Sequence, residues 1–170
     1  IARFTEGKIE LKAGQPFTLD AGMDKNAGTQ EAVGIDYEQL IQDVAVGDGL
    51  LLDDGRIELA VEEISGQQIK CRVLVGGPLS NNKGLNKKGG GLSAPALTEK
   101  DLVDIETAAQ LGADYVAVSF VRTAEDIIQA RTLLQKAGSK AGIVAKIERA
   151  DLVNNVEELD AVIRASDAVM

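Results

Sequence analysis

The 170-residue chain carries 27 acidic and 18 basic side chains and no histidine, a net charge of −9. This argues against a nucleic-acid partner, because phosphate backbones need a basic surface. At 45% apolar and 26% charged it can build a core and stay in solution, and no apolar run is long enough to span a membrane as a helix. An anionic ligand must then be held by local cations, backbone amides or a metal.

Residues 1–93 read as short strands and turns. Lys8–Lys12, Pro16–Leu19 and Leu50–Asp53 are strand candidates. Arg56–Val61 places Ile57, Leu59 and Val61 on one face, and Gln68–Val75 repeats the alternation with Ile69, Cys71, Val73 and Val75. Ser65-Gly66 supplies the turn between them. Several short strands at this spacing predict a small antiparallel barrel or sandwich. Cys71 is the single cysteine. It leaves no internal disulfide, which points to a reducing, cytoplasmic compartment, and its place in an alternating run favours a buried apolar role over reactivity.

From Pro95 the period changes to that of helices. Thr98-Glu99-Lys100-Asp101 is a capping box ahead of Leu102, Ile105 and Ala109, with Gly112 as the stop. Tyr115–Val121 reads as a parallel strand covered on both faces. A second box, Thr123–Asp126, opens a helix through Ile127, Ala130 and Leu134 that ends near Gly138. Ile143–Ile147 is a strand, Val156–Ile163 a helix, and Ala168–Met170 starts another strand. Strand-to-strand spacing of about 30 residues is that of a βαβ unit. Between the halves, Gly76–Gly91 is rich in glycine and holds three lysines. It reads either as a flexible linker or as a hinge with a phosphate-facing lysine, and it lacks the spacing of a P-loop. The chain opens on Ile1, without a signal-peptide pattern, and stops after an apolar stretch; both ends are expected to lie inside a longer protein.

Lys146 and Glu148 stand two apart at a strand end, so both side chains share a face. The C-terminal end of a barrel strand is where that architecture places its chemistry. Glu148 suits a hard cation such as Mg²⁺, and Lys146 suits a phosphoryl group in transfer. An ordinary ion pair fits the same residues equally well. Ser119 has no histidine to activate it and reads as a substrate-positioning hydroxyl or a strand-end cap. Asp53-Asp54-Gly55 reads first as a hairpin turn.

Six segments, taken in order, resemble pyruvate kinases: Leu52–Gly55, Asn82–Asn86, Pro95–Asp101, Val118–Arg122, Ala145–Arg149 and Ala165–Met170. The resemblance implies an all-β part, residues 1–93, forming a small antiparallel β-barrel lid domain. It implies an α/β part, residues 94–170, forming an incomplete piece of a catalytic (β/α)8 TIM barrel. It implies transfer of the phosphoryl group of phosphoenolpyruvate to ADP, giving pyruvate and ATP in glycolysis, with Mg²⁺ or Mn²⁺ and with K⁺, whose ligands lie outside this chain. By the same resemblance Lys146 neutralises the phosphoryl group in flight and Glu148 is a metal ligand. Ser119 and Phe120 line the substrate pocket, and Asp54 and Lys83 approach the nucleotide phosphates. A homotetrameric parent is implied, while the chain alone is expected to be inactive and to self-associate. Lys87-Lys88-Gly89 departs from the Leu-Pro-Gly of many members and looks like a bacterial subgroup.

Two other readings compete. A metal-dependent lyase acting on pyruvate-like substrates would share the strand-end glutamate but has no use for ADP. A non-catalytic β module joined to a structural α/β half would need neither substrate.

Overall fold

The period-two alternation produces strands where the sequence carries it. In the computed structural model, which describes all 170 residues, the chain divides into two compact units, Ile1–Ala94 and Pro95–Met170.

The first unit contains β1 (Lys8–Leu11), β2 (Pro16–Asp20), β3 (Ala32–Gly34), α1 (Leu40–Asp43), β4 (Gly49–Leu52), β5 (Ile57–Ser65), β6 (Gln68–Val75), β7 (Gly77–Ser80) and β8 (Leu85–Lys87). Six strands form one sheet in the order β3-β2-β6-β5-β4-β8, and β1 pairs with β7 in a separate ribbon. Ile57, Leu59, Ile69 and Cys71 are buried, together with Phe17, Leu19, Leu50 and Leu52. Each full burial of such an aliphatic or aromatic side chain contributes about 1.5–3 kcal/mol. The β5–β6 register shifts twice, between Glu58 and Leu59 and between Val61 and Glu63, and the second shift keeps the strand amphipathic. Val61 faces Cys71 and Glu63 faces Lys70, leaving Glu62 as the extra residue of a bulge. Ile64 thereby faces Ile69, three residues after Val61 rather than two.

The first unit departs from the expected antiparallel barrel and from the expected linker. The sheet is mixed, because β3 runs parallel to β2 with Leu19 opposite Val33. Residues 21–31 are long enough to carry the chain back to the same direction, which a tight hairpin cannot do. The hydrogen-bonded ladder is open, with β3 and β8 at its edges. Nor is the glycine-rich stretch a plain linker. Leu79 of β7 is buried and lies opposite Ile9 of β1, while β8 sets Leu85 opposite Leu52 of β4. Gly76 is required by close approach: a Cβ there would stand 2.3 Å from the Leu11 carbonyl oxygen. After the left-handed Gly89, Gly90 and Gly91, Leu92 turns back into the core.

The second unit contains α2 (Glu99–Gln110), β9 (Tyr115–Val118), α3 (Ala124–Lys136), β10 (Gly142–Ala145), α4 (Ala150–Val153), α5 (Val156–Ala165) and β11 (Ala168–Val169). Its three strands are parallel, with β10 in the middle. Both capping boxes form. Asp101 accepts from the Thr98 N–H at 2.7 Å, and Asp126 accepts from the Thr123 N–H at 3.1 Å. Gly112 and Gly138 take left-handed conformations as stops, with φ of 68° and 78°. Ile105, Ile127, Ala130, Leu134, Ile143, Ala145 and Val162 make the core. The expected strand from Tyr115 to Val121 stops at Val118, and Tyr115 is 65% exposed rather than covered. β9 has a neighbour on one side only, so its apolar residues lack part of the cover that a central parallel strand receives.

Candidate functional site

The four residues singled out in the second unit meet at the C-terminal ends of β9 and β10. The β10 backbone stays extended past Ala145. The Lys146 N–H donates to the Val118 carbonyl at 3.0 Å, and the Ile147 N–H donates to the Met170 carbonyl at 2.8 Å. Ile147 packs against the core, and period-two alternation sends the side chains of Lys146 and Glu148 to the opposite face. There the Lys146 ammonium stands 2.7 Å from Glu148 Oε1 and donates to Ser119 Oγ at 3.1 Å. The Phe120 N–H donates to Glu148 Oε2 at 3.1 Å.

Both members of this ion pair are a little under one-third exposed, 29% for Lys146 and 28% for Glu148. A ligand can therefore reach them. An ammonium has three donors, and these contacts use two. The carboxylate takes one donor on each oxygen and retains acceptor capacity. Immediately afterwards Arg149, buried in this unit, grips Asp151 through Nε at 3.0 Å and Nη2 at 2.8 Å. The guanidinium hydrogen bond holds the Asp151 carboxyl below its ordinary range.

In the first unit, Lys83 is placed by a turn. Asp53, Asp54 and Gly55 are all left-handed, with φ of 51°, 56° and 81°. The turn buries Asp53 and sets its Oδ1 2.8 Å from Lys83 Nζ. Asp54, the residue chosen from the sequence, is exposed. The carboxylate brought to Lys83 is thus its neighbour, and nothing in one dimension separates two adjacent aspartates in a turn.

Two further side chains bear on the first unit. Asp43 accepts from the Tyr37 hydroxyl and from the Ser93 N–H at 2.7 Å, and Lys87 donates to the Asp43 carbonyl at 2.9 Å. Burial would raise the Asp43 carboxyl, but the hydrogen bonds from Tyr37 and Ser93 outweigh it and leave it lowered. Cys71 is buried, and burial pushes its thiol up to about 12, which suits the packing role and not a nucleophile.

No group of three or more His, Cys, Asp or Glu side chains is arranged to hold a metal ion. Glu148 is a hard oxygen donor of the kind Mg²⁺ takes, and Mg²⁺ commonly keeps waters and substrate phosphates beside one or two carboxylates. The residues present fit such an ion as the source of a single ligand.

A lysine–glutamate pair at a parallel strand end, beside a serine from the adjoining strand, matches the spacing carried by Val118–Arg122 and Ala145–Arg149. The whole chain, residues 1–170, matches the family described as pyruvate kinase, barrel domain. The chain belongs to the pyruvate kinase family. It is 56% identical over 170 residues to a pyruvate kinase of Haemophilus influenzae, covering all of this chain and 36% of that relative. It is also 56% identical to pyruvate kinase II of Salmonella typhimurium, with 35% of that relative covered. A pyruvate kinase of Mycobacterium tuberculosis is 36% identical over the same 170 residues, again with 35% covered. The chain thus spans about a third of the length of the pyruvate kinases it matches. No helix is long and apolar enough to cross a membrane.

Proposed function

We propose that this chain is part of a phosphotransferase that moves the phosphoryl group of phosphoenolpyruvate to ADP, giving pyruvate and ATP in glycolysis. The observation that carries this is the Lys146 ammonium held between Glu148 and Ser119 at adjoining strand ends, in a chain of this family. The second unit is read as a piece of a (β/α)8 TIM barrel, and the first, with its open mixed sheet, as a β lid domain for the nucleotide. The domain boundary is placed after residue 93, a reading supported by the division into compact units one residue later.

Lys146 meets the negative charge that spreads over the phosphoryl oxygens as the bond to the enol oxygen breaks. It acts most strongly in the transition state, where that charge is most dispersed. Ser119 holds the ammonium in place and, with Phe120, lines the substrate pocket. Glu148 supplies one carboxylate ligand for Mg²⁺ or Mn²⁺. An ion held there would supply neutralising charge to the phosphoryl group. Lys83, oriented by Asp53, reaches the nucleotide phosphates together with Asp54. K⁺ is assigned to parts of the full-length protein beyond this chain. The setting is cytoplasmic, and the full-length protein is a homotetramer on the family reading. The chain by itself is inactive, since Glu148 is the one carboxylate ligand it brings.

The test is Lys146→Met in the full-length protein, followed through pyruvate formation coupled to lactate dehydrogenase. Loss of one electrostatic donor to the transition state costs about 3 kcal/mol, roughly two orders of magnitude in kcat, with KM little changed. A raised KM with kcat intact assigns Lys146 to ground-state binding instead. Turnover that does not require ADP favours the lyase reading.

A further inference from the structure

Phe120 adopts a left-handed backbone conformation, φ 56°, which is disfavoured for a bulky L-residue. Its neighbours make it do so. Val118 and Val121 are both anchored in the core. The residue after them is tied to the next helix, where Asp126 accepts from the Arg122 N–H at 2.8 Å. The chain must therefore bend within Ser119-Phe120. That bend turns the Phe120 N–H toward the next strand, where it donates to Glu148 Oε2 at 3.1 Å. Lys146 holds the other oxygen, Oε1, at 2.7 Å. Glu148 is thus clamped from two sides, by an amide from the end of β9 and an ammonium from the end of β10.

We propose that Phe120 is a positioning residue acting through its backbone: its left-handed conformation aims the N–H that fixes the rotation of the Glu148 carboxylate, and so sets that carboxylate's competence as a divalent-cation ligand. This rests on the reading of Glu148 as a metal ligand given above. The ring's contact with substrate is a separate matter. A carboxylate free to rotate spends part of its time with its lone pairs turned away from the cation, and groups that orient a ligand typically change metal affinity tenfold or more.

The experiment uses the full-length protein and Mn²⁺ as the probe, read directly from the electron paramagnetic resonance of the free ion, with melting temperature and turnover measured on the same samples. Phe120→Asn and Phe120→Val both remove the ring and are similar in size. Asparagine accepts the left-handed region, whereas β-branched valine does not. The expected result is Mn²⁺ binding about tenfold weaker in Phe120→Val than in Phe120→Asn, with Phe120→Gly matching Phe120→Asn. If Phe120→Val does not fold, Phe120→Ala against Phe120→Gly makes the same contrast, since only glycine takes φ > 0 without penalty. A purely structural bend would lower the melting temperature of the disfavoured variant and leave Mn²⁺ affinity equal across each pair, which overturns the proposal. Glu148→Gln separates the two levels. If it leaves Mn²⁺ binding unchanged, the metal-ligand reading falls and the proposal with it. If it weakens binding while the Phe120 variants stay equal, only the role of Phe120 falls.

Discussion

The β unit and the α/β unit close their cores to different degrees. In the β unit Ile57, Leu59, Val61, Ile69, Cys71 and Val73 of the long strands β5 and β6 are all buried, because the sheet neighbours of these central strands lie within the unit. In the α/β unit only β10 has a strand on each side. The flanking strands leave Tyr115 65% and Val169 46% exposed, and Met170 just past β11 is 70% exposed. A hairpin-built sheet finds its partners nearby in sequence, whereas a parallel sheet depends on strands delivered by further βαβ units. The candidate site differs between the units in the same way. Lys83 is met by Asp53 from a left-handed turn, and Lys146 and Glu148 are met by Ser119 and Phe120 from the end of the adjoining parallel strand.

The contrast can be broken at the β core. Leu59→Ala is expected to cost the β unit about 2–5 kcal/mol, seen as a lower denaturation midpoint. If the β unit tolerates this without loss, its core is not what holds it together. A smaller effect is expected at the turn. Asp53→Ala removes the buried partner of Lys83 and should destabilise the β unit by about 1–3 kcal/mol. Asp54→Gly should be nearly neutral, because Asp54 is exposed and already left-handed. Equal losses at the two positions would erase the distinction between them.

Acid should act on the β unit through Asp43. Its carboxyl is lower in the folded state than its ordinary value. Its contribution is therefore full above the unfolded value, about pH 4, and is lost as pH falls through the lowered folded value. Asp43→Asn should flatten the acid limb of a stability–pH profile taken by chemical denaturation. An unchanged limb would remove Asp43 from the account. The smallest stability change is expected at the sheet edge. Tyr115→Lys should alter folding stability by less than about 0.5 kcal/mol, yet lower the light scattering of the isolated chain, because a charge on an exposed edge opposes strand pairing between copies. A chain that stays monomeric before the substitution would mean that the open edge is not adhesive.

Much of the fold was legible in one dimension. Alternation at Ile57, Leu59 and Val61 and at Ile69, Cys71 and Val73 marks β5 and β6, and the Thr98 and Thr123 boxes mark two helix starts. These signals are local: a side-chain period or a cap spans only a few residues. The three-residue β3 and β8 and the single-turn α1 and α4 are too short to show a period. β7 sits in a glycine-rich run whose composition argues for a linker, and only pairing with β1 makes it a strand.

For the site, the sequence by itself determined that Lys146 and Glu148 share a face, since strand geometry requires it, and the ordered motifs point to the family. Only the tertiary structure decided that Ser119 and the Phe120 amide join them, that Asp53 rather than Asp54 holds Lys83, and that β3 runs parallel to β2. Each of these depends on contacts between residues far apart in the chain or on the sign of one backbone angle, and neither is written in local periodicity.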